Sequence, residues 1–141
     1  MITMEIKNNE KQYKGDNNLI YSCQYHVIFC PKYRRKIFMD EKIRNRFKEM
    51  IIDKQREYHY NVLDMDVMPD HIHFLVDVNP KIGVYSIVSK IKGYTSHQLR
   101  EEFPSLKTRL PTLWTRSKFI SSVGAVTLEV VKKYIEEQRG K

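Results

Sequence analysis

The chain has 141 residues, enough for one domain with a single modest hydrophobic core. Hydrophobic residues make up 41% and charged residues 30% of it, which is typical of a globular protein, and no apolar run approaches the roughly 20 residues that span a bilayer. The polar N-terminus lacks the apolar stretch of a signal peptide. Composition therefore argues against a membrane protein and predicts a cytoplasmic one.

The net charge of +8 is concentrated in the second half of the chain. Residues 81–141 carry 12 Lys and Arg residues but five Asp and Glu residues, whereas in residues 1–80 the two signs nearly balance at 13 and 12. A one-sided positive excess suits a polyanionic partner, most often a nucleic acid. Charge alone is equally compatible with a basic protein that binds no nucleic acid.

The N-terminal residues 1–18 are predicted to be a loose segment, and residues 19–141 to form a single domain. Residues 21–30 are rich in aromatic and β-branched residues and predict the first strand, which ends at Pro31. This strand contains a lone histidine, His26. We interpret it as a core or sheet-edge residue rather than as a ligand.

Residues 32–36 place four cations around Tyr33. Cations of this kind grip phosphates, and the tyrosine ring can stack on a base. The same cluster is typical of a solvated turn, so both interpretations stay open on this pattern alone.

Two long helices are predicted in the middle of the chain. The first covers residues 40–58, with Asp40 as its N-cap and apolar residues at helical spacing that form one buried stripe. The second covers residues 84–100. Residues 101–113 contain two prolines and predict a loop, and a further strand lies within residues 113–123.

Residues 62–78 predict a β-hairpin, because two runs with period-2 alternation flank a short Met-Pro-Asp break. His71 and His73 share one face of the second strand, since residues two apart point the same way. Two adjacent imidazoles can hold one divalent metal ion with coordination positions left open. The pair also fits a solvated sheet face without function. The opposite, apolar face is predicted to carry Leu63, Met65, Val67, Ile72, Phe74, Val76 and Val78.

A final helix over residues 128–138 is predicted after a break at Gly124. Val130, Tyr134 and Gln138 are spaced by four and lie on one face of it. A tyrosine on a helix face is usually a core residue. A glutamine on the same face is unusual for a core, because its amide would need buried hydrogen-bond partners.

The predicted order of elements is β-α-β-β-α-β-α, which indicates an α+β fold of the ferredoxin-like (split βαβ) type. Its antiparallel sheet has two long helices on one face. The first and third strands are then central, so the histidine pair lies mid-sheet on the face opposite these helices. The final helix, which carries the tyrosine, is an extra element that can cover the open face of its own sheet or of a partner's sheet.

The strand His71-Ile72-His73, combined with Tyr134 and Gln138 on a late helix, resembles the single-tyrosine HUH (His–hydrophobic–His) transposases of bacterial and archaeal insertion sequences. The resemblance covers roughly residues 19–138. It includes the segments 26–36 and 69–73, the pair Leu113-Trp114 and the pair Val123-Gly124.

This resemblance implies that His71, His73 and Gln138 are metal ligands and that Tyr134 is the nucleophile. It implies an enzyme that cleaves and rejoins single-stranded DNA at insertion-sequence ends through a 5′-phosphotyrosine intermediate and that recognises DNA hairpins. It also implies a homodimer whose active sites are shared between chains, with the tyrosine helix donated across the dimer. An open sheet edge offers a natural pairing surface for such a dimer.

The chemistry is consistent with these roles. A tyrosine phosphodiester stores the energy of the cut bond, so rejoining needs no nucleotide cofactor. Tyrosine is a poor nucleophile near neutral pH because its pKa is about 10, and a metal ion that polarises the phosphate compensates for this. Two neutral imidazoles, an amide oxygen and open positions suit Mg²⁺ or Mn²⁺. The basic residues predicted to bind DNA are Lys32, Arg34, Arg35, Lys36, Lys90, Lys92, Arg116 and Lys118.

Other functions are weighed against this one. A non-catalytic ferredoxin-like nucleic-acid-binding protein would not need Tyr134 and Gln138 on the face of the histidine pair. A relaxase or replication initiator shares the HUH chemistry but usually has additional domains. A structural metal protein is disfavoured because only two strong ligands lie close together. The His-x-Glu and Cys-x-x-Cys pattern of a cytidine deaminase is absent from the sequence.

Overall fold

The computed structural model describes residues 2–5, 12–15, 20–123 and 128–140. A small antiparallel sheet at the N-terminus consists of β1 (Ile2–Glu5), β2 (Gln12–Gly15) and β3 (Ile20–Tyr21), in that order. The prediction of a loose segment over residues 1–18 therefore missed two short strands. Their pairing uses backbone groups, which polar sequences provide as well as apolar ones.

The main sheet has four strands: β4 (Gln24–Phe29), β5 (Tyr60–Met68), β6 (His71–Val78) and β7 (Phe119–Ser122). Their order is β5-β6-β4-β7, and every neighbouring pair is antiparallel. The first and third strands of this sheet, β4 and β6, are central as predicted. The sheet confirms the ferredoxin-like α+β arrangement.

The helices are α1 (Glu41–Asp53), α2 (Gln55–Tyr58), α3 (Val84–Glu102), α4 (Ser105–Arg109) and α5 (Leu128–Glu137). The Asp40 carboxylate caps α1 by accepting from the backbone N–H groups of Lys42 and Ile43 at 2.9 and 3.4 Å. The single helix predicted over residues 40–58 is broken at Lys54. The loop predicted over residues 101–113 contains the short helix α4. No described helix is long and apolar enough to cross a membrane.

One face of the sheet packs on α1 and α3 to form the hydrophobic core. Trp114 lies at its centre, edge-to-face against Phe29 with ring centroids 4.7 Å apart and against Phe47 at 5.6 Å. Such aromatic pairs stabilise a core by about 0.5–1.5 kcal/mol each beyond their buried area. Other fully buried members are Val27, Phe38, Met50, Ile72, Phe74, Ile87, Ile91 and Leu113.

The hairpin of β5 and β6 fixes which residues face this core. Ile72, Phe74, Val76 and Val78 of β6 are buried, as predicted. On β5 the pairing shifts between Val62 and Asp64, so Leu63 is the extra residue of a β-bulge and is 38% exposed. The prediction that Leu63 shares the apolar face is therefore wrong, because a bulge interrupts the alternation. Met65 and Val67 pair with Phe74 and Ile72 and keep the predicted face.

Part of the other face of the sheet is covered by α5. The Tyr134 ring of α5 lies 5.0 Å from the Phe119 ring of β7, measured between centroids. Phe119 pairs with Ile28 of β4, and Ile28 is fully buried although it points away from the main core. Within the single chain, the final helix thus lies on the open face of its own sheet. The predicted break at Gly124 lies outside the described residues.

Candidate functional site

The histidine pair lies on the central strand β6, on the face away from α1 and α3. His73 is opposite Asp66 of β5 and Ile28 of β4, and His71 is opposite Met68 at the start of the hairpin. Both histidines are half-buried. Because the intervening Ile72 points into the core, the two imidazoles share the face that α5 covers. The predicted placement of the pair is confirmed.

Asp70, in the turn of the hairpin, orients the first of these imidazoles. Its Oδ1 lies 2.9 Å from His71 Nδ1. When Nδ1–H donates to this carboxylate, His71 Nε2 keeps its lone pair for a ligand. The turn itself is held in place, because the Phe38 backbone N–H donates to the Pro69 carbonyl at 3.1 Å. Asp70 was not identified from the sequence, since a residue in a two-residue turn has no periodicity that indicates its direction.

Arg34 binds the other oxygen of the Asp70 carboxylate. Its Nε and Nη2 donate to Asp70 Oδ2 at 3.0 and 2.7 Å, and its Nη1 donates to the Ile135 carbonyl of α5 at 2.9 Å. Burial of Asp70 opposes ionisation, but the hydrogen bonds from His71 and Arg34 hold the pKa of its carboxyl below the usual value. The Arg34 side chain is 9% exposed and fully engaged. Its predicted role as a phosphate contact therefore does not fit the structure.

His26 faces the second imidazole across the two central strands. Its Nδ1 lies 3.1 Å from His73 Nε2. Burial and the neighbouring His26 lower the pKa of His73, so its ring is neutral near neutral pH, as a metal ligand must be. His26, interpreted from the sequence as a core or sheet-edge residue rather than a ligand, lies on a central strand, and its contact with His73 was not predicted. The strand pattern would have shown its face, but the register that brings it to His73 depends on pairing between distant segments.

Tyr134 projects from α5 toward the end of β7. Its hydroxyl shares a hydrogen bond of 2.9 Å with Ser117 Oγ, and its ring packs on Phe119. Burial raises the pKa of Tyr134, and the bond to Ser117 partly counters this. Tyr134 makes no direct hydrogen bond to His71 or His73. The structure thus places the tyrosine on the sheet face of the histidine pair, beside it rather than in contact with it.

Gln138 follows α5 and is 3% exposed. Its Oε1 is buried and has no hydrogen-bond partner among the described residues. Its backbone N–H donates at 3.2 Å to the Ile135 carbonyl, the same oxygen that accepts from Arg34. Arg34 therefore connects the Asp70–His71 turn to the backbone turn that carries Gln138. A buried amide oxygen without a donor is an open position for a cation.

The side chains on this face that could hold a divalent cation are uncharged ones. In the part of the chain that the structure describes, no group of three or more His, Cys, Asp and Glu side chains is placed to hold a metal ion. His71, His73 and Gln138 offer two imidazoles and one amide oxygen instead. This donor set fits Mn²⁺ or Mg²⁺ with several positions left for phosphate oxygens or water.

The other basic residues that were predicted to contact DNA are of two kinds: some form hydrogen bonds within the protein, and the others are open to solvent. Lys92 is engaged: its ammonium donates to the carbonyls of Thr115 and Ser117 at 2.7 and 3.3 Å, so it does not fit the predicted role. Burial, together with the nearby Lys118, lowers the pKa of Lys92 to about 8. Lys118 donates to Ser89 at 3.1 Å and remains partly exposed. Solvent-exposed or partly exposed cations are Lys32, Arg35, Lys36, Lys90 and Arg116.

A cavity of about 480 Å³ lies beside the cationic segment that follows β4. It is lined by residues 33–37 and by Leu106 and Leu110. Arg34 belongs to its wall, so a single side chain separates the cavity from the Asp70–His71 turn.

Comparison with known proteins identifies relatives that match nearly all of this chain. Residues 19–138 match the family described as IS200-like transposases. The chain is 32% identical over 130 residues to the ISDra2 transposase TnpA of Deinococcus radiodurans, covering 91% of this chain and 92% of that protein. It is 34% identical over 125 residues to the transposase for insertion sequence element IS200 of Salmonella typhimurium, covering 84% and 81%.

Solved structures agree with this assignment. A putative transposase from Deinococcus radiodurans superposes with a TM-score of 0.81 at 27% identity, covering 91% of this chain and 99% of that one. A REP-associated tyrosine transposase bound to a REP hairpin superposes with a TM-score of 0.54 at 13% identity, covering 87% and 68%, and shows a shared fold. The family match and the two relatives above 30% identity determine the assignment: this chain belongs to the IS200-like transposases.

Proposed function

We propose that this transposase cleaves and rejoins single-stranded DNA at insertion-sequence ends, with Tyr134 as the nucleophile. One observation carries the proposal: Tyr134 of α5 packs on Phe119 at the sheet face of the histidine pair, and Arg34 joins the Asp70–His71 turn to the Ile135 carbonyl of the same helix.

In the proposed reaction, Tyr134 Oη attacks the scissile phosphorus and the bond from phosphorus to the 3′-oxygen breaks. The 5′-phosphate becomes a tyrosine ester, and the departing 3′-oxygen becomes a hydroxyl. The proton that Tyr134 loses and the proton that the 3′-oxygen gains balance through solvent. A later 3′-hydroxyl reverses the step and regenerates the tyrosine, so no nucleotide cofactor is consumed.

Residues of this chain act on the Tyr134 oxygen and orient the groups that would act on the phosphate. Ser117 can donate to the Tyr134 oxygen when it is ionised, which counters the raised pKa of the buried phenol. Asp70 holds His71 in one orientation, and His73 is kept neutral by its surroundings. The residues that would hold Mg²⁺ or Mn²⁺ are His71, His73 and Gln138. When bound, such a cation supplies charge stabilisation at the non-bridging phosphate oxygens.

The proposed substrate is single-stranded DNA that carries a hairpin. The structural neighbour with the REP hairpin supports a hairpin ligand for this fold, and the positive excess after residue 80 supports a polyanion. The cations left free for phosphates are Lys32, Arg35, Lys36, Lys90, Arg116 and the partly exposed Lys118. Binding through them should weaken steeply with salt because counterions are released.

We further propose a homodimer whose active sites are shared between chains. In the single chain α5 docks on its own sheet through Arg34–Ile135 and Ser117–Tyr134, so donation of the helix to a partner would exchange these contacts for equivalent ones. Mixing a Tyr134→Phe chain with a His71→Ala chain tests this. A shared site predicts that the mixture regains cleavage, whereas two inactive homodimers and an inactive mixture would assign each site to one chain.

The test of the cleavage proposal uses single-stranded DNA from the ends of the element, with and without Mn²⁺. We expect a protein–DNA adduct that survives denaturation and requires the cation. Mass spectrometry should locate the nucleotide on Tyr134, and Tyr134→Phe should bind the hairpin DNA but form no adduct. A nucleotide on another tyrosine, with the phenylalanine variant still active, would refute the assignment.

A further inference from the structure

We infer that the cavity beside Tyr33 binds one unpaired nucleotide of the single-stranded DNA, close to the bond that is cleaved. This inference rests on the proposed function and specifies part of its substrate. The cavity's volume of about 480 Å³ lies in the range of small-ligand sites, roughly 300–1,000 Å³. Of its lining residues, Arg34 contributes to the cleavage site by binding Asp70, and the cavity itself is not part of the cleavage chemistry proposed above.

The lining of the cavity matches the two kinds of surface that a nucleotide presents. Leu106 and Leu110 line the cavity but are only 2% and 3% exposed, so the apolar surface open to the face of a base is mainly that of the Tyr33 ring, which is 46% exposed. Arg35 and Lys36 line the same cavity and are exposed, which suits a phosphate. A base in a duplex keeps its faces stacked on its neighbours. Only an unpaired base can therefore enter a cavity of this shape.

The Tyr33 ring is exposed, so a base can stack on it. Its side chain is 46% exposed at the cavity, and Lys32 Nζ lies 5.2 Å from its ring centroid. Tyr33 and Arg34 have φ values of 60° and 52°, in the left-handed region that residues with a side chain rarely adopt. Two such residues in succession cost conformational energy, and this kind of strain is concentrated at ligand sites. With this backbone conformation Tyr33 lines the cavity and Arg34 binds Asp70.

Arg34 sets the position of this nucleotide relative to the chemistry. It lines the cavity and also binds Asp70, which holds His71, and the Ile135 carbonyl of α5. A base in the cavity would thus lie one side chain away from both the histidine turn and the tyrosine helix. The nucleotide must belong to the single-stranded segment around the scissile phosphate rather than to the stem of a distant hairpin.

The experiment couples a change in the protein to a change in the DNA. The binding constant is measured for the Tyr134→Phe protein, which leaves the DNA intact. The probes are oligonucleotides that span the cleavage site, with one abasic residue moved through every unpaired position. Tyr33→Gly removes the ring and relieves the left-handed strain, so it should melt no lower than the parent protein. Tyr33→Phe keeps the ring. Tyr85→Ala is the matched control, because Tyr85 is also exposed under a lysine, with Lys118 Nζ 4.4 Å from its ring.

We expect one unpaired position at which the abasic residue weakens binding about tenfold, the size of one base stacked on an aromatic ring. The Tyr33→Gly protein should bind the intact DNA about tenfold more weakly, and an abasic residue at that position should cause no further loss of affinity. Tyr33→Phe and Tyr85→Ala should keep the sensitivity. Equal weakening at all positions, or sensitivity that persists in Tyr33→Gly, overturns the inference.

Adduct formation, measured in parallel with Tyr134 intact, separates this inference from the proposed function. An adduct on Tyr134 without any position that depends on Tyr33 rejects the nucleotide cavity and retains the cleavage mechanism. A position that depends on Tyr33 without an adduct retains the cavity and rejects the mechanism. Failure to bind any single-stranded probe rejects both.

Discussion

The hydroxyls of Ser117 and Tyr134 share a hydrogen bond of 2.9 Å that joins the segment before β7 to the helix α5. This bond touches the atom that attacks phosphorus in the proposed reaction. Burial raises the pKa of that phenol, and the bond from Ser117 lowers it again in part. The bond from Ser117 should therefore increase the fraction of Tyr134 that is ionised at a given pH.

Ser117→Ala is expected to slow adduct formation by about three- to tenfold near neutral pH, the effect of one lost hydrogen bond. Without the serine the pKa of Tyr134 rises further, so less phenolate is present. The deficit should shrink as the pH rises, because the phenolate fraction then increases in both proteins. Single-turnover rates across the alkaline range measure this, with Ser121→Ala as a control on β7. A deficit that is constant with pH would assign a purely structural role to Ser117.

His71→Ala and His73→Ala are each expected to abolish metal-dependent cleavage while the fold and DNA binding survive. Both side chains lie on the sheet face away from the core, so their removal leaves the packing of α1 and α3 intact. Mn²⁺ binding, measured by electron paramagnetic resonance, should be lost with the activity. His97→Ala, which changes an exposed histidine of α3, should retain both. Near-normal cleavage by either variant with added Mn²⁺ would contradict the metal assignment.

Gln138→Leu should move stability and metal affinity in opposite directions. The buried Oε1 has no donor among the described residues, so an apolar side chain of similar size should raise the free energy of unfolding by about 1 kcal/mol. The same change removes a ligand and should weaken Mn²⁺ binding and cleavage. Urea denaturation and a metal titration give the two readings. A destabilised variant with unchanged metal affinity would show that the amide has an ordinary packing role.

Asp70→Asn should destabilise the protein by about 1.5–3 kcal/mol, because it weakens two nearly buried hydrogen bonds from a guanidinium. Arg46–Glu102 is the comparison pair: its guanidinium also donates two hydrogen bonds to one carboxylate, to Oε1 and Oε2 at 2.7 and 3.1 Å, but its side chains are 30% and 31% exposed. Glu102→Gln should therefore cost less than about 1 kcal/mol. Urea denaturation compares the two losses, and equal values would show that the Arg34–Asp70 pair is no more important than a surface pair.

Lys92 should make stability depend on alkaline pH. Its pKa is lowered from 10.5 to about 8 in the folded protein, so the unfolded chain binds more protons between these values. As the pH rises from about 8 toward 10.5, the free energy of unfolding of the parent protein should therefore increase relative to that of Lys92→Met. Below about pH 8 Lys92 is charged in the folded protein, so burial of its charge lowers the free energy of unfolding by its full amount. A pH-independent difference between the two proteins in urea denaturation would show that Lys92 titrates normally.

The hairpin of β5 and β6 shows how much could be predicted from the sequence. Alternation over residues 71–78 determines the face of each side chain, so His71 and His73 could be placed correctly before the fold was known. The spacing of Tyr134 and Gln138 predicted a common helix face in the same way, but α5 ends at Glu137 and Gln138 lies in the turn that follows it. These predictions depend on local geometry that nearly every strand or helix obeys.

The errors have a different origin, because they involve contacts between distant segments. His26 meets His73 only through the register of β4 against β6, which is set by the whole core. Arg34 was predicted to contact DNA, but its backbone conformation turns it to Asp70, 36 residues away in sequence. The bulge at Leu63 likewise has no signal in the alternation of β5.

The hydrogen bond from the Phe38 amide to the Pro69 carbonyl provides a measure of how often the hairpin turn at the site opens. Phe38 is fully buried, so its amide can exchange with solvent only when the hairpin turn separates from the segment beneath it. The exchange rate of this one amide therefore reports how often the turn of Asp70 and His71 opens. Slow exchange in the absence of DNA and metal would show that the histidine pair is fixed by folding itself, before any ligand arrives.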